Sequence, residues 1–551
     1  MNGAILLLIA AACFLGGYFL YARKLERLLG IDPKRPTPAH TKGDGVDYVP
    51  AHPTVLLGHH FATIAGAGPI VGPVLAAEFG WASVTLWVVL GCIFIGAAHD
   101  MIAMFLSVRH DGESIGSVIG AVLGRPGKTM FLLVSWSTLV LVVTEFNRQI
   151  AGTFVADPAV ATASLLFIAE AVLFGLCVYR LRMSVLVASL IFVPLMFAFV
   201  WVGNAFPLDL VKMFGLTPDA TRTVWTIVLI VYCFLASTCP VQFLLQPRDY
   251  LNSYLLYAMM LLGFLGVFAA HPVLHIDAFA GFSAVGRSGM PDMLFPFLFV
   301  TVACGACSGF HALVASGTSS KQIASEGSIR PVAYGGMLLE GFLAMIALIG
   351  VAGTYMSQKE YVSAIQSMEP VQMFAATIAG FCVKVGIPQR AAEGFMLLSV
   401  AAFLMTTVDS GTRLARFTWQ ELMPSRGGFF HNMYVGTAVV CAVIVALLLG
   451  SPETAKQLWT LFASTNQLLA SLTLLTATLW FYRNRKPCWM TAVPMALMFV
   501  VSSWALSSIL VAAASSGQWV RLFASAFLLA LAVAIIVVAV KKGRCTCSSA
   551  S

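Results

Sequence analysis

Asp100, Glu170 and Glu340 each interrupt an apolar run of about 20 residues, and His99 stands next to Asp100. A carboxylate in a hydrocarbon setting is costly unless it is protonated, paired or in contact with water. A carboxyl group that gains and loses a proton in such a place is the simplest carrier of a proton across a membrane. Asp100, with its histidine neighbour, is the expected carrier. The plainer reading for Glu170 and Glu340 is a protonated carboxyl bonded to a neighbouring helix. His59, His60 and His311 add imidazoles. Neighbours on a helix point about 100° apart, so at least one of His59 and His60 is expected to face the protein interior.

These residues need long apolar elements to hold them. The 551-residue chain is 59% hydrophobic and 10% charged, whereas soluble domains carry about 25% charged residues. A bilayer core about 30 Å thick is crossed by about 20 helical residues. Runs of that length follow one another near 3–21, 54–79, 82–107, 128–145, 160–178, 183–203, 222–245, 252–271, 292–316, 331–355, 388–408, 431–450, 456–481, 489–513 and 519–540. The expectation is an all-α integral membrane protein of about fifteen transmembrane helices. A stretch at 370–385 is expected to be a re-entrant or surface helix. Arg23, Lys24 and Arg27 follow the first run and no basic residue precedes it. That order is the reverse of a signal peptide and puts the N-terminus outside. Most of the 32 Lys and Arg then fall in cytoplasmic loops, and the tail Lys541, Lys542, Arg544 is cytoplasmic. The net charge of +8 is thereby a matter of orientation and lipid headgroups, with no nucleic-acid partner. The twelve cysteines show no disulfide spacing and read as packing residues; no cofactor is implied. Residues 31–50 form an expected cytoplasmic loop with little regular structure, and 203–221 its external counterpart.

The second run contains Gly66-Ala67-Gly68-Pro69 and then Gly72-Pro73. Glycines and prolines at mid-membrane free backbone groups that lipid cannot satisfy, so the break must line a cavity or bind something polar. His59, His60, Gly66, Gly68 and Pro69 are therefore candidate substrate-binding residues. A second break is expected at Ala236-Ser237-Thr238-Cys239-Pro240, adding Ser237, Thr238 and Gln242. A third lies at Cys304 to His311, followed by Ser316-Gly317-Thr318-Ser319-Ser320-Lys321, adding His311. Counted from the first break, these are helices one, six and eight of a ten-helix unit over 54–408. Helices one and six would run in opposite directions, which is the mark of a LeuT-like (APC-type) inverted-repeat core. In that fold a cation lies between carbonyls of the first helix and hydroxyls of the eighth. Ala65 to Gly68 would face Ser316, Thr318 and Ser319, with Lys321 able to stand in for the ion. Residues 1–53 would be a first helix and cytoplasmic loop, and 409–551 accessory helices with a short tail.

Several patches resemble the carbon starvation protein A family. They are Arg35-Pro36-Thr37-Pro38-Ala39-His40, Asp44-Gly45-Val46-Asp47-Tyr48-Val49-Pro50, Gly58-His59-His60-Phe61, Pro247-Arg248-Asp249-Tyr250-Leu251, Ser308-Gly309-Phe310-His311, Ser316 to Gln322, Asp409-Ser410-Gly411-Thr412-Arg413 and Thr465-Asn466-Gln467-Leu468-Leu469. They run in family order from about 35 to 470. The resemblance implies proton-coupled uptake of small peptides or pyruvate across the bacterial inner membrane during nutrient limitation. Arg148 and Gln149, placed in an external loop, have no family role. Sodium is the alternative coupling ion, because the hydroxyl cluster would suit it. The rival class is a membrane-embedded metal protein or enzyme using His59, His60, His99 and Asp100; a passive channel is a third. The chain implies a small-molecule substrate and a lipid bilayer as partners and fixes no oligomeric state.

Overall fold

The computed structural model describes residues 1–45, 48–240, 244–287, 291–423, 428–449 and 458–548. Every expected span is helical, but not every one is a membrane-length helix. Among the described residues, eleven helices are long and apolar enough to cross a membrane. The pair Pro53–Ile64 and Gly68–Phe79, bent by 47°, raises the count to twelve. The other three expected spans are helical without joining that set. One is cut into Leu294–Thr301, Ala303–Ala306 and Gly309–Gly317. Met433–Leu448 has 16 residues, and Leu458–Arg483 carries Asn466, Gln467 and many hydroxyls. The protein is a multi-pass membrane protein, and among the described residues its regular structure is helical except for a small antiparallel pair, Ser283–Val285 against Pro291–Met293.

The first broken helix bends where its composition demands. Helix Pro53–Ile64 stops at Ala65, and the chain restarts at Gly68 with Pro69 in the first turn. There the missing proline N–H costs no helical bond. Gly68 and Gly72 are needed for contact: a Cβ at Gly68 would lie 2.3 Å from Cys304 Cβ, and one at Gly72 would lie 2.8 Å from the Thr301 carbonyl. The two broken helices therefore cross against each other. Two long segments lie beside them and pack closely on each other: Ile115–Ala156, which turns at Gly124 (φ 79°) and is helical on either side, and the helix Gln389–Leu422.

Two expectations are corrected here, and a third is narrowed to its re-entrant alternative. The helix Pro218–Thr238 is unbroken, so the expected second break at 236–240 falls at its end, and the chain resumes as Leu245–Ala270. Cys239-Pro240 stops that helix but does not divide it; Gln242 lies outside the described residues. Arg148 and Gln149 are buried inside the helix Ile115–Ala156 and not in a loop. Glu145 explains why charge does not end this helix: Arg148 pairs with it at 2.8 Å and Gln149 donates to it at 2.9 Å. The stretch 370–385 contains a 13-residue helix, Pro370–Cys382, that is mostly buried in the protein and not laid on its surface. The loop after residue 30 is as irregular as expected, with one short helix at Pro38–Thr41. It is tied down by Thr37 Oγ1 donating to the Ile323 carbonyl and by the Asp32 N–H donating to Glu326.

Candidate transport site

Asp100 stands on the helix Ala97–Arg109 with no exposure to solvent. Its two carboxylate oxygens face different imidazoles: Oδ1 is 2.8 Å from His99 Nδ1 and Oδ2 is 2.8 Å from His311 Nδ1. His311 comes from Gly309–Gly317, the last piece of the second broken helix. Its other ring nitrogen, Nε2, lies 3.2 Å from Glu340 Oε2 on the helix Gly335–Thr354, within ion-pair range but not aligned as a hydrogen bond. Four fully buried titratable groups thus form one line, His99–Asp100–His311–Glu340. Two carboxylates bridged by an imidazole can pass a proton between them, because a histidine accepts on one ring nitrogen while donating from the other.

His60 is buried and its Nδ1 lies 2.8 Å from Ser319 Oγ. Its neighbour His59 points elsewhere, 3.4 Å from Asp249 on the helix Leu245–Ala270. Asp249 follows Arg248, which is paired with Asp409 of the helix Gln389–Leu422 and bonded to Tyr232. Tyr232 in turn donates to Asp409 at 2.6 Å. A buried arginine must be paired, and this one clamps three helices together.

The hydroxyls of the expected cluster have separate partners. Ser316 Oγ donates to the Ala312 carbonyl and accepts from the Ile115 N–H, so it caps the helix Ile115–Ala156. Ser319 is engaged by His60. Thr318 and Lys321 instead line a small cavity with His59. The hydroxyl at the first break belongs to Thr407: a Cβ on Gly66 would lie 2.8 Å from its Oγ1. Ser237 approaches Thr437 Oγ1 at 3.4 Å and Thr238 donates to its own helix at the Phe234 carbonyl. Neither meets the histidines. Glu170 is buried on the helix Pro158–Gly175, and its carboxylate has no hydrogen-bond partner among the described residues. Among those residues, no three His, Cys, Asp or Glu side chains converge as a metal site would require. Because His59 and His60 have separate partners, the four proposed ligands do not act as one set.

Composition gives no sign of how the break between Cys304 and His311 is held. Asn466 accepts from the Phe310 N–H at 2.8 Å and donates to Ser308 Oγ at 3.0 Å. Gln467 donates to the carbonyls of Phe299 and Cys307, at 3.3 and 3.1 Å. Two side-chain amides of the helix Leu458–Arg483 thus satisfy backbone groups that the break leaves without helical partners. The pattern Thr-Asn-Gln inside an apolar run is the signal that could have pointed to this role.

A second ionic cluster ties the end of the helix Ile115–Ala156 to later loops. Glu369, just ahead of the helix Pro370–Cys382, is 2.7 Å from Arg287 and 3.4 Å from Arg148. Burial alone would raise its pKa, but Arg148, Arg287 and Arg222 prevail and hold it down at about 2. A carboxylate with a depressed folded-state pKa stabilises the protein above its unfolded pKa, and that stability is lost as pH falls towards the folded value. Glu369→Gln is therefore expected to destabilise the protein by roughly 2–3 kcal/mol at pH 7. The gap between variant and wild type should narrow between about pH 4.5 and pH 2. Thermal unfolding in detergent across that range checks it; a gap independent of pH would show that Glu369 acts through packing alone.

The architecture matches a solved structure described as MhsT in complex with L-phenylalanine. The likeness covers 82% of this chain and 99% of that one, with a TM-score of 0.52 at 12% identity. This likeness shows the fold, and with the apolar helices it defines the class: a multi-pass helical membrane protein with broken spans. The description "Carbon starvation protein CstA" belongs to the family model that matches residues 2–369 and 353–505. The peptide transporter CstA of Mycobacterium tuberculosis is 31% identical over 94% of this chain and 77% of its own. That of Bacillus subtilis is 30% identical over 98% and 97%. The pyruvate/proton symporter BtsT of Escherichia coli is 30% identical over 89% and 78%. The chain belongs to the CstA family.

Proposed function

We propose that this protein is a secondary active transporter that imports small peptides or pyruvate-like carboxylates across the bacterial inner membrane by proton symport. Its N-terminus is outside and its C-terminus cytoplasmic, following the distribution of Lys and Arg. The observation that carries this reading is the buried line His99–Asp100–His311–Glu340. Its central imidazole stands on a broken helix, so movement of that helix would make or break the proton path. The names of the relatives agree: two are peptide transporters and one is a pyruvate/proton symporter.

The transport unit we infer differs from a unit over 54–408. A broken helix (53–79), an unbroken one (81–109) and a long one (125–156, after the turn at Gly124) are matched by a second series: broken (294–317), unbroken (326–354) and long (389–422). Two repeats that begin at the two broken helices account for this succession. The helix Leu458–Arg483 then belongs to the unit, because its amides hold the break between Cys304 and His311.

Sodium remains the second reading, favoured by the buried Thr407 hydroxyl, which has no hydrogen-bond partner among the described residues and stands against Gly66. Freed carbonyls and a hydroxyl are the ligands that sodium takes without a formal charge. Uptake of labelled pyruvate and of dialanine into proteoliposomes separates the two. Accumulation is expected with an imposed pH gradient. Accumulation driven by sodium at clamped pH, with the membrane potential collapsed, would replace protons by sodium.

A further inference from the structure

The neighbours of Lys321 show how cations in this region are ordinarily neutralised. Lys128 stands 3.3 Å from Glu421, Lys42 stands 3.2 Å from Asp111, and Arg109 stands 2.7 Å from Glu326. Lys321 has no carboxylate within ion-pair range among the described residues. Its ammonium sits 5.4 Å over the ring of Tyr48, an attraction that leaves its hydrogen-bond donors available.

Its position is equally specific. Lys321 lines two cavities at once, one of about 600 Å³ and one of about 60 Å³. Gly317, Lys321, Leu414 and Phe417 are common to both, so these residues form the partition between them. The larger cavity has a mixed lining that includes the Ser117 hydroxyl, the Glu113 carboxylate and the neutralised pair Lys128–Glu421, to which Ser114 donates at 3.1 Å. The smaller reaches His59 on the first broken helix and includes Thr318, Gln322 and the Arg413 guanidinium. Its one carboxylate, Asp249, is already faced by His59 at 3.4 Å. Anything passing between the larger cavity and the broken helix by this way meets an ammonium with no counter-ion among the described residues, beside the Arg413 guanidinium and the neutral groups of Thr318 and Gln322. That set matches a single carboxylate: one negative charge with two oxygens, each able to accept from hydroxyl and amide groups. A cavity of some 600 Å³ has room for a short peptide as well as for a keto acid.

We propose that Lys321 is a carboxylate-holding residue on the route between the larger cavity and the first broken helix. It takes the group that pyruvate and the C-terminus of a peptide have in common. The inference rests on the transport reading above for its cargo, but its test does not depend on transport. Binding of pyruvate, pyruvamide, dialanine and dialanine amide to the full chain in lipid nanodiscs is measured by calorimetry. The acids are expected to bind at least about tenfold more tightly than their amides, a preference that added potassium chloride reduces. Lys321→Gln should bring the acid-to-amide ratio close to one, leaving amide binding unchanged, and Lys321→Arg should restore most of it. A merely structural lysine would weaken acid and amide alike. Equal binding of acid and amide by the wild type, or an undiminished preference in Lys321→Gln, would overturn the proposal. If pH gradients fail to drive uptake while the acid preference is present and lost in Lys321→Gln, the transport reading fails and the carboxylate site stands.

Discussion

Asp100→Asn is expected to abolish accumulation against a gradient while exchange of substrate across the membrane survives. Both oxygens of Asp100 are committed to imidazoles at 2.8 Å, and all three side chains are buried. Asparagine has nearly the same volume, so the packing of the helix Ala97–Arg109 is kept. It cannot take up a proton, and it presents one acceptor oxygen where the carboxylate presented two. Hydrogen bonds to a charged group contribute about 1.5–3 kcal/mol each, so the change also loosens the hold on His311 and on the helix that bears it. Uptake of labelled pyruvate into proteoliposomes under an imposed pH gradient should fall to the equilibrium level, whereas counterflow at equal pH should proceed. Glu340→Gln should act in the same direction and less severely, since Glu340 meets only one end of His311. Accumulation by Asp100→Asn equal to wild type between about pH 6 and 8 would remove Asp100 as the carrier.

Gly68→Ala is expected to cost nearly as much, for a steric reason. Its new Cβ would stand 2.3 Å from Cys304 Cβ and 2.4 Å from its sulfur, and a Cβ next to the backbone cannot turn aside. Overpacking of this kind costs roughly 1–3 kcal/mol, enough to shift a balance between two helix arrangements by about fivefold to a hundredfold. The loss should be relieved by a second change, Cys304→Gly, which empties the space the methyl group needs. Initial uptake rates of the wild type, the single variant and the double variant, each at matched membrane content, provide the check. A double variant as inactive as the single one would show that Gly68 is required for something other than the crossing of the two helices.

Much of this was legible from residue types. The run Gly66-Ala67-Gly68-Pro69 forecast a bend and the structure has one of 47°, because no regular helix tolerates that composition at mid-membrane. Asp100, His311 and Glu340 each stood out as polar groups in apolar surroundings, and all three meet. Their meeting was not legible: Asp100 and His311 are 211 residues apart, and no local period encodes such a contact. The expected break at 236–240 misled because a proline at the end of a helix and one in its middle look alike in sequence. Arg148 misled in the opposite way. Charge suggested a loop, whereas Glu145 three residues earlier neutralised it inside the helix. The hydroxyls of Ser316 and Ser319 stood out in sequence, but their partners did not: one caps a helix and the other meets His60.

The amides of Asn466 and Gln467 also place a demand on biosynthesis. Phe310 is 156 residues ahead of the side chain that receives its N–H. At roughly 5–20 residues per second, a ribosome needs about 8–30 s to cover that distance. For that interval the cut helix enters the bilayer with backbone groups that nothing in the finished protein yet satisfies. Water in the insertion channel or a provisional helical bond must hold them until the later helix arrives. A chain released before residue 466 would keep its apolar spans and still carry an open seam, a defect that membrane quality control could sense although every earlier helix is in place.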